Sequence, residues 1–77
     1  GDWNHITNAR SGMGYTLLQG SATNGPGVSD YYHSVTYEYS SKNGGGNMTQ
    51  HAIGYSSARM YQRSRYSGVW TSWSAIL

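Results

Sequence analysis

The sequence predicts an all-β domain, mainly antiparallel, with about five strands and long loops. Three observations lead there. No window carries apolar residues at a sustained period of 3.6, and Gly, Ser, Asn and Tyr displace the strong helix formers. Short alternating segments recur, bounded by Gly, Asn, Ser and Pro. The chain closes with a hairpin pattern, Ala58–Trp73, in which Ser67-Gly68 makes the tight turn.

The elements follow in order. Asp2–Met13 carries Asp2, Asn4, Thr7 and Asn8, which suit turns and helix starts, and reads as a lead-in with one helical turn. Gly14–Gln19 is a short strand. Gly20–His33 is a 14-residue connector holding Asn24-Gly-Pro-Gly27; loops of that length are often functional. Ser34–Ser40 alternates, with Val35, Tyr37 and Tyr39 on one face and Thr36 and Glu38 on the other. Ser41–Asn47 is a flexible tip around Gly44-Gly45-Gly46. Met48–Tyr55 sets His51, Ile53 and Tyr55 opposite Gln50 and Ala52. The last strand places Arg59, Tyr61, Arg63 and Arg65 on one face, with Ala58, Met60 and Gln62 on the other. Val69–Trp73 returns. An extended backbone sends Trp70 and Trp73 to opposite faces, since they are an odd number of positions apart.

Composition constrains how such a chain folds. Leu, Ile and Val together number only nine of 77 residues, with no Phe, well under the share usual in globular domains. Eight Tyr and three Trp supply the missing apolar area, about 150–250 Å² each when buried. A 77-residue chain buries only about 60% of its unfolded surface, and there is no cysteine to staple it. Oligomerisation is the expected source of further stability. One domain, 1–77, is expected, with no membrane insertion, since no apolar run approaches the roughly 20 residues that span a bilayer. Gly1 follows no initiator Met, so the chain reads as a piece of a longer one.

Catalysis finds little support. Asp30 and His33 could be drawn into a triad with a serine, but no nucleophile-elbow pattern surrounds them. Three acids are few for a paired-carboxylate site. Three histidines lack metal-ligand spacing, and the glycine tip lacks the Lys-Ser/Thr of a phosphate loop. No cofactor is called for. Two binding readings remain. Tyr31, Tyr32 and His33 in the long loop, with Arg59, Tyr61, Arg63 and Arg65 on the strand, offer aromatic faces and hydrogen-bond donors to a carbohydrate. The guanidinium forks among them suit an acidic glycan. Cations interleaved with aromatics also suit single-stranded nucleic acid, but a formal charge of +2 and a single lysine argue against it. The arginine stripe is equally compatible with a solvated or cross-strand-paired face.

A Gly-x-Gly-Tyr-Thr-Leu strand, Asn24-Gly-Pro-Gly27, Gln50, Met60-Tyr-Gln-Arg63 and Gly68-Val-Trp70-Thr-Ser-Trp73-Ser together resemble the knob-type domain of phage tail fibres, tailspikes and R-type pyocin fibres. The resemblance runs from about Trp3 to Ile76. It implies a small, non-catalytic β-module of a homotrimeric fibre in the virion tail or bacteriocin, near the receptor-facing end, binding a bacterial cell-surface glycan for host attachment. A purely structural trimerisation or orientation module is the alternative, with any enzymatic activity in another domain of the parent. Arg63, Trp70 and Trp73 fall on the motif, and no agreed set of binding residues is carried over.

Overall fold

A computed structural model describes residues 1–9 and 16–77 of the chain. The short helix α1 (Ile6–Ala9) precedes six strands: β1 (Thr16–Gln19), β2 (Tyr31–Glu38), β3 (Met48–Gly54), β4 (Met60–Tyr66), β5 (Val69–Trp70) and β6 (Ser74–Ala75). The expected first strand began at Gly14; Gly14 and Tyr15 lie outside the described residues, as does the lead-in beyond Ala9. The strands form one antiparallel sheet in the order β1-β2-β3-β4-β5, and β6 also pairs with β4. The fold is all-β apart from the one helical turn. Among the described residues no helix is long and apolar enough to cross a membrane.

The hairpin turn is as its residues dictate. Ser67 and Gly68 both take positive φ, 50° and 80°, the pairing whose twist matches that of the flanking strands. The second strand departs from expectation by starting at Tyr31 rather than Ser34. Tyr31, Tyr32 and His33 pair with Gln19, Leu18 and Leu17, so β1 recruits the end of the expected loop into the sheet. Tyrosine favours such a half-buried pleated surface, and the ladder satisfies its backbone groups.

The second departure is at Trp70 and Trp73. In β5 the register pairs Arg65 with Trp70, and in β6 it pairs Gln62 with Ser74. One extra residue therefore sits between the two segments opposite Arg63, a β-bulge. Thr71 marks its start: its Oγ1 accepts from Ser64 N at 3.0 Å while its own N–H donates to Ser64 O at 2.8 Å. The inserted residue resets the alternation, and both tryptophans face the same side of the sheet.

That side, the inner face, holds the core. Trp3, Leu18, Tyr32 and Ala52 form its apolar cluster, with Tyr61, Trp73, Ala22 and Val28 packed against it. Beyond that cluster the buried face is mainly polar, with Ser34, Thr36, Glu38, Gln50 and Arg63 beside the single apolar Met48. The N-terminal segment lies across it, held by Trp3 N to Thr23 O (3.0 Å) and Trp3 Nε1 to Gln19 O (3.0 Å). Complete burial of Trp3 contributes about 4–6 kcal/mol of gross hydrophobic stabilisation.

Candidate binding surface

The polar half of the inner face is a network centred on Gln50. Its amide nitrogen lies 3.2 Å from the carbonyl oxygens of both Trp3 and Asn8. The Ser34 and Thr36 hydroxyls, 3.4 Å from that nitrogen, donate to Asn8 O at 3.1 and 3.0 Å. An amide nitrogen has two protons, so the two carbonyls take them and the hydroxyls complete the ring of donors around Asn8 O. Gln50 Oε1 accepts from Arg63 Nε at 2.8 Å, and Arg63 Nη2 reaches Asn4 Oδ1 at 2.7 Å. The guanidinium carbon sits 3.7 Å from the Trp70 ring centroid and 4.7 Å from that of Trp73. Burial pushes the Arg63 pKa down to about 10, with nearby Asp2 opposing the shift, so the group stays charged at neutral pH. Among the described residues no carboxylate is in contact with this buried charge, which is solvated by two amide oxygens and two indole faces.

This arrangement decides the role of the arginine stripe. Its members share one face, as alternation requires, but not one environment. Arg63 is 4% exposed and fully occupied by the core network. Arg65 is half-buried and donates through Nη1 to Gly46 O at 3.2 Å, closing the glycine tip over the sheet. Tyr61 is half-buried, edge-on to Tyr32 with centroids 5.9 Å apart. Arg59 is exposed, with Nη1 3.9 Å from Asp30 Oδ2. Tyr32 is 0% exposed. In the isolated chain the expected grouping of seven ligand-contacting residues is therefore divided: Tyr32 and Arg63 offer a ligand no surface, and Tyr31 and His33 stand on the opposite face from the arginines.

The Asn24-Gly-Pro-Gly27 loop also turns inward. Asn24 O accepts from Trp73 Nε1 at 2.9 Å, and Asn24 Nδ2 donates to Asp2 Oδ1 at 2.9 Å. Gly25 passes so close to Trp3 that a Cβ there would stand 2.5 Å from the indole nitrogen. The loop is a clamp on the tryptophan end of the core.

The outer face is the exposed one. Its rows run Leu17–His33–Ile53–Met60, then Val35–His51–Gln62–Ser74, then Tyr37–Thr49–Ser64. Tyr31, Tyr37, Tyr39, Tyr55 and Tyr66 are all exposed on it or at its ends. Two edge-on pairs stiffen it: His33 with Tyr55 at 5.8 Å between centroids, and Tyr37 with His51 at 5.3 Å. His51 Nε2 and Gln62 Oε1 are 2.9 Å apart. Among the described strand residues, no Asp, Glu, Lys or Arg stands at an outward position. No cluster of His, Asp and Glu able to hold a metal ion occurs among the described residues.

The sequence reading missed Tyr37, Tyr39, Tyr55 and Tyr66 as surface candidates. Each strand's alternation was visible, including Tyr37 with Tyr39 and Ile53 with Tyr55. What alternation within a strand cannot give is which faces are joined when strands pair. Comparison with family models, with curated proteins and with solved structures finds no match for this chain.

Proposed function

We propose that this chain is a non-catalytic carbohydrate-binding module of a phage tail fibre, tailspike or bacteriocin fibre, used to attach to a bacterial surface glycan. The observation that carries this reading is the outer face: five exposed tyrosines on the sheet or at its ends, with no Asp, Glu, Lys or Arg at an outward position among the described strand residues. Tyrosine presents a flat apolar face with a hydroxyl at its edge and loses little rotamer freedom on binding, which suits the mixed C–H and O–H surface of a sugar. The absence of Lys and Arg from that face argues against a polyphosphate partner. The motif resemblance to the fibre knob supports the setting.

The test is retention on an array of bacterial surface polysaccharides and oligosaccharides. Selective retention of one glycan group by the folded chain is expected; a folded chain that retains none overturns the proposal.

A second reading has its own observation. Leu17, Ile53 and Met60, with Ile76 hydrogen-bonded beside Met60, make one end of the outer face apolar. A structural module of a trimeric fibre would cover that end with a neighbouring subunit. Sedimentation at micromolar concentration separates the readings: a stable trimer that binds no glycan favours the structural role.

A further inference from the structure

We infer that the glycan contact proposed above is centred on one cavity, framed by Tyr37, Tyr39 and Tyr66, and that it takes a neutral sugar ring. The inference rests on the carbohydrate-binding reading and deepens it. The cavity, about 400 Å³, lies over the end of β2, the start of β3 and the end of β4, with Tyr39 just past β2 and Asn47 just before β3, and is the right size for a small ligand. Glu38, Met48 and Arg65 are paired across its middle. Alternation turns their side chains to the other face, where Glu38 and Met48 are buried, so the middle of the floor is backbone. Thr49 and Ser64, with hydroxyls 3.4 Å apart, line one side. Asn47 lines the other, its Oδ1 already accepting from Ser67 N.

The spacing fits one ring. Two strand separations, about 10 Å, divide β2 from β4, and about 7 Å divides Tyr37 in β2 from Tyr39 just past its end. Tyr39 and Tyr66 are 74% and 73% exposed, so two aromatic faces rise from the rim. The charges nearest the cavity are engaged elsewhere: Arg65 Nη1 donates to Gly46 O, and Glu38 Oε1 accepts from Gly44 N at 2.6 Å. A carboxylated sugar would meet no free guanidinium inside the cavity. Hydroxyl groups would meet Thr49 and Ser64.

The experiment follows the tyrosine ring signals of the isotope-labelled chain by NMR. The probes are glucose, galactose, mannose, rhamnose and N-acetylglucosamine at millimolar concentration, with galacturonic acid as the carboxylated counterpart. At least one neutral sugar is expected to shift Tyr37, Tyr39 and Tyr66 while leaving Tyr31 and Tyr55 in place, with galacturonic acid weaker. Tyr39→Ala and Tyr66→Ala, both at exposed positions, should each weaken binding about tenfold, and Tyr55→Ala should leave it unchanged. Shifts centred on Tyr31 and Tyr55 or on Tyr61 of the arginine face, preference for galacturonic acid, or no response to any neutral sugar would each overturn the inference. If the array still shows selective retention in those cases, only the location or ring chemistry has failed. If the array is also blank, the carbohydrate reading fails with it.

Discussion

Arg63 donates through Nε to Oε1 of Gln50 over 2.8 Å, and both side chains are buried. The pair joins β3 to β4 and, through Asn4, Asn8 and Trp3, ties the N-terminal segment to the sheet. Neither residue can be lost cleanly. Without Gln50, a buried guanidinium and two backbone carbonyls lose partners together; without Arg63, Gln50 Oε1 and Asn4 Oδ1 do.

Gln50→Ala and Arg63→Ala should each cost about 2–4 kcal/mol, measured by urea denaturation. That is a large part of the roughly 4–12 kcal/mol expected for a domain of this size. Because both changes break the same network, the double variant should lose less than the sum of the singles by about 1–2 kcal/mol. Strict additivity would mean that the two residues act separately.

Deletion of Ser72 tests the bulge. Removing one residue between Trp70 and Ser74 restores simple alternation and leaves Trp73 opposite Arg63, two positions from Trp70 and on the same face, so its edge-on contact with Trp3 at 5.2 Å is kept. The expected result is a change in stability within about 1 kcal/mol and an unchanged tryptophan fluorescence maximum. A loss of more than about 2 kcal/mol with red-shifted fluorescence would show that the bulge itself, and not only the face it selects, is needed to seat Trp73.

The bulge is also where sequence reasoning reached its limit. Alternation within β2, β3 and β4 was legible because each strand has half its residues on a buried face. The two-residue turn at Ser67-Gly68 was legible from its types. Alternation alone separates Trp70 from Trp73 because an inserted residue leaves no periodic trace; its marker is the pair of bonds between Thr71 and Ser64, one from the Thr71 N–H and one to its Oγ1. Alternation groups the arginine stripe on one face, as found, but the pattern leaves open whether that face meets ligand, solvent or a neighbouring strand. That face is covered by Trp3 and the N-terminal segment through contacts such as Gln50 with Trp3 O, 47 positions apart in the chain, which local pattern cannot foresee. For the same reason the tyrosine face emerged only once the strands were paired.

Acid should loosen the N-terminal segment first. Asp2 Oδ1 accepts from Asn24 Nδ2 and from Asn4 N, each at 2.9 Å. The Asn24 bond, then the Asn4 bond, hold its pKa below the usual 3.8, with lesser help from Arg63 and His5. A carboxyl with a depressed folded pKa contributes stability that is present above its unfolded pKa and lost as pH falls through the folded value. Amide exchange at Asn4 and Trp3 should therefore accelerate below about pH 4 beyond the trend for the sheet. Asp2→Asn should remove that acid-specific step. A step that survives the substitution would show that the Asp2 carboxylate does not carry it.

Tyr32 gives the prediction with the least obvious sign. Its ring is fully buried, yet its hydroxyl has no hydrogen-bond partner among the described residues. Burial raises its pKa, and the nearby Arg59 guanidinium, which opposes that shift, does not meet hydrogen-bonding geometry. An unpaired buried hydroxyl has lost its water without replacement, at a cost of about 1–3 kcal/mol. Tyr32→Phe removes that cost and keeps the ring and its edge-on contact with Tyr61. The variant should be as stable as the parent or more stable by up to about 1 kcal/mol, where most core changes destabilise. Its stability should also be less sensitive to alkaline pH. The raised folded pKa means that the folded parent disfavours ionising this group, so its stability is unaffected below the unfolded value near 10 and falls as pH climbs through the folded one. Denaturation at neutral pH and above pH 10 reads both effects. A loss of more than about 1 kcal/mol at neutral pH would mean that the hydroxyl is bonded after all, with Arg59 the first partner to test.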